Sequence, residues 1–203
     1  MKKDVKDILP FWILIVMSFF LASLWLDKQS FYLFNLIWRI LIIAGIHFFG
    51  NIHIGISIKQ WVVLGLIFVL NCWLVYYFFP SLSFLDVIVT IGFGPLAEEI
   101  FFRGWVISKL RGNNKDKIIR SSFLFALYHL KNIYILTPLV LVYQILFAGL
   151  VVGPIFAWVR LKYNSLFPVI VLHGFNNMIG STITEKLLSF IIQRIPKFRY
   201  RLI

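Results

Sequence analysis

The strongest constraint on this chain is a series of nearly uncharged apolar runs that recur along its whole length. About 20 predominantly apolar residues suffice to carry a helix across the hydrocarbon core of a bilayer. Residues 8–26 form the first run, behind Lys2, Lys3 and Lys6. That run exceeds the apolar region of a signal peptide, so it reads as an uncleaved first span. A second lies within 31–50 and carries Arg39. A third, 61–79, stops at Pro80, and a fourth, 82–107, holds Glu98, Glu99 and Arg103. Thr137-Pro138 breaks a fifth span, 118–136, from a sixth that reaches Val159, and a seventh covers 164–183. The expected fold is all-α: a polytopic transmembrane helical bundle of 7–8 spans in a single integral membrane domain, 1–203.

The C-terminus decides the count. Arg194, Lys197, Arg199 and Arg201 prefer the side on which an even number of spans would place them. Residues 187–195 are too short to cross alone. Either the tail lies on the membrane surface or a tilted eighth helix starts near Thr182; eight helices is the expectation.

Composition excludes the alternatives. Hydrophobic residues are 61% and charged residues 14%, whereas soluble domains are nearer 45–50% apolar. A soluble enzyme, a disordered chain and a secreted disulfide scaffold are thereby excluded, and the single Cys72 has no internal partner. The 20 Lys+Arg against 8 Asp+Glu sit mostly between and after the runs, as in cytoplasmic loops, and no nucleic-acid motif is present. With the N-terminus cytoplasmic, Lys59, the basic stretch 109–120 and Arg160/Lys162 fall inside, and only Lys28, Lys131 and Lys186 fall outside. The small size and lack of an organelle-targeting segment point to a bacterial plasma membrane, with the bilayer as one partner and a peptide or protein substrate, lipidated or not, as the other.

A charge at the bilayer centre costs roughly 2.5–3.5 kcal/mol on insertion scales, so polar residues inside spans need a reason. Two of the three Glu, Glu98 and Glu99, are adjacent in the fourth span, and His129 and His173 lie in the fifth and seventh. Counting from Lys109, Arg120 and Lys162, the three positions 98, 129 and 173 each sit roughly 14–17 Å from the cytoplasmic helix end, at about 1.5 Å per residue. They share one level and can meet in one cavity. Glu99 and Arg103 are four apart on one helix face and can pair; Glu98 points about 100° away and is expected to be free for chemistry. His173 and Asn177 are likewise four apart, and Phe125, one turn before His129, can wall the pocket. Gly92, Gly94 and Pro95 allow a kink and close approach beside the Glu pair. Arg39, His47 and His53 read as interfacial or packing residues.

The set suits hydrolysis by activated water. A carboxylate in a partly dry cavity can act as general base, a neutral His can position the water, and a His–Asn pair can donate to a developing oxyanion. HExxH and GxSxG are absent, and Pro95 stands where a GxGD motif needs Asp. No cofactor is required, although zinc on Glu98, His129 and His173 is a chemically legitimate alternative. A helix-glue reading of the same residues, a transport pathway and a binding protein without chemistry also stay open.

Three motifs occur in order: Glu98-Glu99-Ile100-Phe101-Phe102-Arg103, Phe125-Ala126-Leu127-Tyr128-His129 and His173-Gly174-Phe175-Asn176-Asn177. They resemble the EExxxR, FxxxH and HxxxN motifs of the CAAX protease and bacteriocin-processing family, the relatives of type II CAAX prenyl endopeptidases. The motif-bearing core is about 84–179. The resemblance implies an eight-helix membrane endopeptidase in which Glu98 activates water with His129, while His173 and Asn177 form the oxyanion site. It implies supporting roles for Glu99, Arg103 and Phe125, and a glutamate rather than a metal mechanism. Eukaryotic members trim prenylated termini; small bacterial members are linked to bacteriocin maturation, self-immunity or peptide-signal processing. A non-catalytic bacteriocin-immunity or binding protein on the same fold is the alternative.

Overall fold

The structure is a computed structural model and describes residues 3–49, 55–78, 84–133 and 136–194. Among these the chain forms seven helices and no strand. They are α1 (Lys3–Trp25), α2 (Lys28–Phe49), α3 (Ile58–Phe78), α4 (84–109), α5 (114–132), α6 (Pro138–Tyr163) and α7 (Phe167–Arg194).

Local chemistry sets the boundaries. Asp27 caps α2, its Oδ1 accepting from the Ser30 N–H at 3.0 Å and its Oδ2 from the Ser30 hydroxyl at 2.8 Å. Ser57 and Gln60 make a reciprocal capping box at the start of α3. Leu110 turns extended to end α4, and the Asn113 Oδ1 accepts from the Asp116 N–H at 2.9 Å to start α5. Pro138 opens α6, where its missing N–H costs nothing, and Asn164 closes it in the left-handed conformation (φ 48°). Nothing between 181 and 194 is Gly or Pro, so α7 runs on unbroken for 28 residues. The separate eighth helix expected near Thr182 is therefore absent from the described residues; the break signal comes only at Pro196. The predicted limits at Gly50, Phe79 and Leu82 fall outside the described residues, as does His53; nothing is described of the His47 side chain.

Two helices widen at the same dipeptide. π-type turns span Ile88–Phe93 and Ala148–Val152, ahead of Gly94-Pro95 and Gly153-Pro154. Proline supplies no N–H and crowds the preceding turn, which relaxes by lengthening its hydrogen bonds. A third π segment, Ile100–Val106, follows Glu98 and Glu99 directly. The kink expected at Gly92–Pro95 is thus realised beside the carboxylates. At Gly92 an added Cβ would lie 1.8 Å from the Phe68 ring, and at Gly153 3.0 Å from the Ser122 Cβ, so α3–α4 and α5–α6 approach closely only through glycine.

The core joins Ile8, Ile15 and Phe19 of α1 to Phe102 and Val106 of α4, Phe125 and Tyr128 of α5, Phe156 of α6 and Val169 of α7. The outer surface is apolar as well: Trp25, Ile58 and Leu139 are 83%, 82% and 79% exposed. By length and composition α6 is the one helix among the described residues able to cross a membrane. α1, α2 and α3 carry the shorter apolar stretches Ile8–Ala22, Ser30–Ile46 and Ile58–Asn71.

Candidate active site

Glu99 and Arg103 lie one turn apart on α4, both fully buried, with Arg103 Nη1 donating to Glu99 Oε1 at 3.2 Å. Arg103 Nη2 also donates to the Gly153 carbonyl at 3.3 Å, and its guanidinium lies 4.1 Å from the Phe125 ring centroid. This places α4, α5 and α6 around one cation. His173, on α7, donates from Nδ1 to the same Glu99 oxygen at 2.6 Å. A carboxylate partner of this kind fixes an imidazole's tautomer and orientation, and here it turns Nε2 toward Glu98 Oε2, 3.9 Å away.

Glu98 is not free. Arg39 Nη1, from α2, donates to its Oε1 at 3.2 Å, and Lys131 Nζ, from α5, donates to the same oxygen at 3.1 Å. Both cations are buried. The reading of Arg39 as an interfacial or packing residue is corrected, and so is the placement of Lys131 in an outside loop. The physical reason is the one that made Glu98 conspicuous: a charge among apolar helices must find an opposite charge. Arg39 interrupts an apolar run just as Glu98 does, and that was its signal. Gly94 gives it passage, since a Cβ there would stand 3.0 Å from Arg39 Nη1. Lys131 is drawn inward because α5 tightens to a 3₁₀ turn over His129–Asn132. In that turn residues three apart eclipse, and the Lys131 ammonium rests 3.7 Å from the Tyr128 ring centroid.

His129 is buried, and its Nδ1 donates to the Phe125 carbonyl at 2.8 Å, the only role a carbonyl partner permits. Its Nε2 is therefore the acceptor nitrogen. Phe125 is edge-on to both imidazoles, at 4.8 Å from His129 and 5.8 Å from His173, and is the wall they share. Asn177 stands one turn past His173, half-buried, with its Oδ1 3.5 Å from the Asn176 amide. The structure thus joins Glu98, Glu99, Arg103 and His173 in one polar network and sets His129 against the shared Phe125 wall, with Asn177 one turn further along α7 from His173.

Two spaces lie among these helices, one of them lined by Glu98. A cavity of about 10 Å³, the size of a single water, lies beside Glu98 between Ile15, Ile42, Ala97, Phe101, Phe102 and Tyr128. An apolar cleft of about 200 Å³ lies between α3, α4 and α7, lined by Leu64, Phe68, Asn71, Leu96, Ile170 and Gly174 among others. Among the described residues no three His, Cys, Asp or Glu side chains converge as metal ligands.

An all-helical bundle with an apolar exterior, enclosing paired carboxylates, two imidazoles and three cations, defines a class: helical proteins with a charged centre sealed inside. Within that class, the profile of the type II CAAX prenyl endopeptidase Rce1-like family matches residues 80–179. That segment, which holds every motif residue, is similar to this family of membrane-embedded proteases. No curated protein and no solved structure matches the chain.

Proposed function

We propose that the chain is a multi-pass membrane endopeptidase that cleaves a peptide or membrane-associated protein with water activated at Glu98. The observation that carries this reading is the buried Glu99–His173–Glu98 alignment across α4 and α7, inside the family-matched segment. A gap of 3.9 Å between Glu98 Oε2 and His173 Nε2 is too long for a direct hydrogen bond and suits one bridging water. In the proposed step Glu98 takes a proton from that water as the water oxygen attacks the scissile carbonyl. The proton then passes to the leaving amine as the C–N bond breaks, giving a carboxylate and an amine. His129 Nε2 accepts from the water and holds it in line. His173 takes part as the imidazolium: its Nδ1–H stays on Glu99, and its Nε2–H donates to the water and then, with Asn177, to the carbonyl oxygen, whose developing charge hydrogen-bond donors stabilise. Glu99, Arg103 and Phe125 position His173. The step as proposed uses no metal.

The multi-pass arrangement is supported by the apolar exterior, which water would not tolerate over so large an area. An inside N-terminus is supported by the loop charges, the more so because Lys131 is buried and leaves the outside count. A bacterial plasma membrane, and a role in peptide or bacteriocin processing or in self-immunity, complete the proposal. A second reading rests on the two cations bound to Glu98. They occupy its Oε1, as fits a non-catalytic immunity or binding protein.

Peptide termini in membranes and medium, compared by mass spectrometry between cells carrying wild type and Glu98→Gln, separate the two. Termini that vanish in the variant establish proteolysis. Identical termini, with an immunity phenotype intact, establish the binding protein.

A further inference from the structure

Three buried cations, Arg39, Arg103 and Lys131, face two buried carboxylates, Glu98 and Glu99. With both imidazoles neutral the centre carries one positive charge in excess, and protonating either would enlarge it. The excess is local. Arg103 and Glu99 balance each other's charge, whereas Arg39 and Lys131 share a single oxygen of Glu98. Tyr128 and Phe19 add ring faces to the Lys131 ammonium, at 3.7 and 5.1 Å from the ring centroids. Two cations from different helices, converging where one carboxylate is half of what they can accept, make the geometry of an anion site.

We infer that Arg39 and Lys131 form a carboxylate-binding subsite whose occupant in the substrate-free protein is Glu98 itself. The inference rests on the proposed endopeptidase reading and deepens it. A substrate peptide that brings a carboxylate, at its C-terminus or on an Asp or Glu side chain, takes over the two cations and releases Glu98 Oε1. The resting protein then holds its base neutralised, and an anionic substrate restores it. Selection for a carboxylate and activation of Glu98 become one event. The cavity beside Glu98 holds only about one water, so occupancy of the subsite requires α2, which carries Arg39, to move away from α4.

The test uses the purified full chain in detergent micelles, as the Glu98→Gln variant, so that no hydrolysis is needed. The probes are three pools of short apolar peptides: free C-terminal acids, the same peptides amidated, and amidated peptides with one internal Glu. The readout is the shift in thermal unfolding midpoint. A rise of several degrees with a carboxylate pool, absent with the plain amides, is the expected result, and the two acidic pools tell terminus from side chain. The shift is expected to disappear in Glu98→Gln/Lys131→Met and to survive in Glu98→Gln/Lys131→Arg. Equal shifts with acids and amides, or none with any pool, would overturn the inference, and this comparison within one variant holds even if the Met variant fails to fold. Loss of the endopeptidase reading registers separately, as peptide termini that do not depend on Glu98.

Discussion

The N-terminal helices α1–α3 and the later helices α4–α7 are built on different rules. α4–α7 carry every motif residue, contain all three π-type segments and approach one another through Gly149, Gly153 and Gly174. α1–α3 show large apolar side chains outward, such as Trp25, Ile58 and Leu66, and supply one ion to the centre, Arg39. The difference teaches where sequence is tightly specified. A wrap with an apolar outer face needs only to be apolar and long enough, whereas a charged centre needs a partner for each group at a fixed distance. Arg39 is the point where the wrap takes part in the centre.

The comparison predicts effects of graded size. Among the residues that frame Glu98, the largest should come from His173→Ala, which removes both the Glu99 partner and the group facing Glu98. Loss of a group that stabilises the oxyanion costs about 10²–10³-fold in rate, measurable as cleavage of a peptide spanning the site found by terminus comparison. Next is Arg103→Met. It leaves the buried Glu99 with one partner fewer, and breaking a buried ion pair costs about 3–5 kcal/mol. Chemical denaturation of the purified protein in micelles should show that loss. A stability near wild type would show that the centre is no more tightly specified than the wrap.

Gly92→Ala probes the seam between the regions. Its Cβ would collide with the Phe68 ring of α3, and such overpacking costs about 1–3 kcal/mol. The smallest effect belongs to Leu139→Ala, on an outward face of α6, where stability should stay within about 0.5 kcal/mol of wild type. A large loss at Leu139 would mark that face as a packing surface rather than a lipid-facing one.

Much of this was legible in the sequence. Fixed spacings on single helices carried the Glu99–Arg103 pair, and Gly92–Pro95 announced the bend. Depth counting placed Glu98, His129 and His173 at one level, and the structure buries all three. Two things were not legible from periodicity. Glu98 was expected to be free because only its own helix was considered, while its partners come from α2 and α5. Lys131 was counted as a loop charge because the tightening of α5 into a 3₁₀ turn depends on local hydrogen bonding that apolar patterning does not record. In both cases the missing information is pairing between helices, which a buried charge demands but does not address. The eighth helix failed for a different reason: net charge argued for a further crossing, yet no residue between 181 and 194 interrupts the helix.

The central claim is that Glu98 performs the chemistry while Glu99 holds the frame. It is tested most directly by reconstituting wild type, Glu98→Gln and Glu99→Gln in liposomes and following, for each, cleavage of the same peptide and thermal unfolding. The account predicts that Glu98→Gln, although less stable because Arg39 and Lys131 lose their charge partner, stays folded and cleaves about 10²–10⁴-fold more slowly, as expected for loss of a general base. It predicts that Glu99→Gln unfolds at a clearly lower temperature. A Glu98→Gln protein that cleaves at the wild-type rate would contradict it.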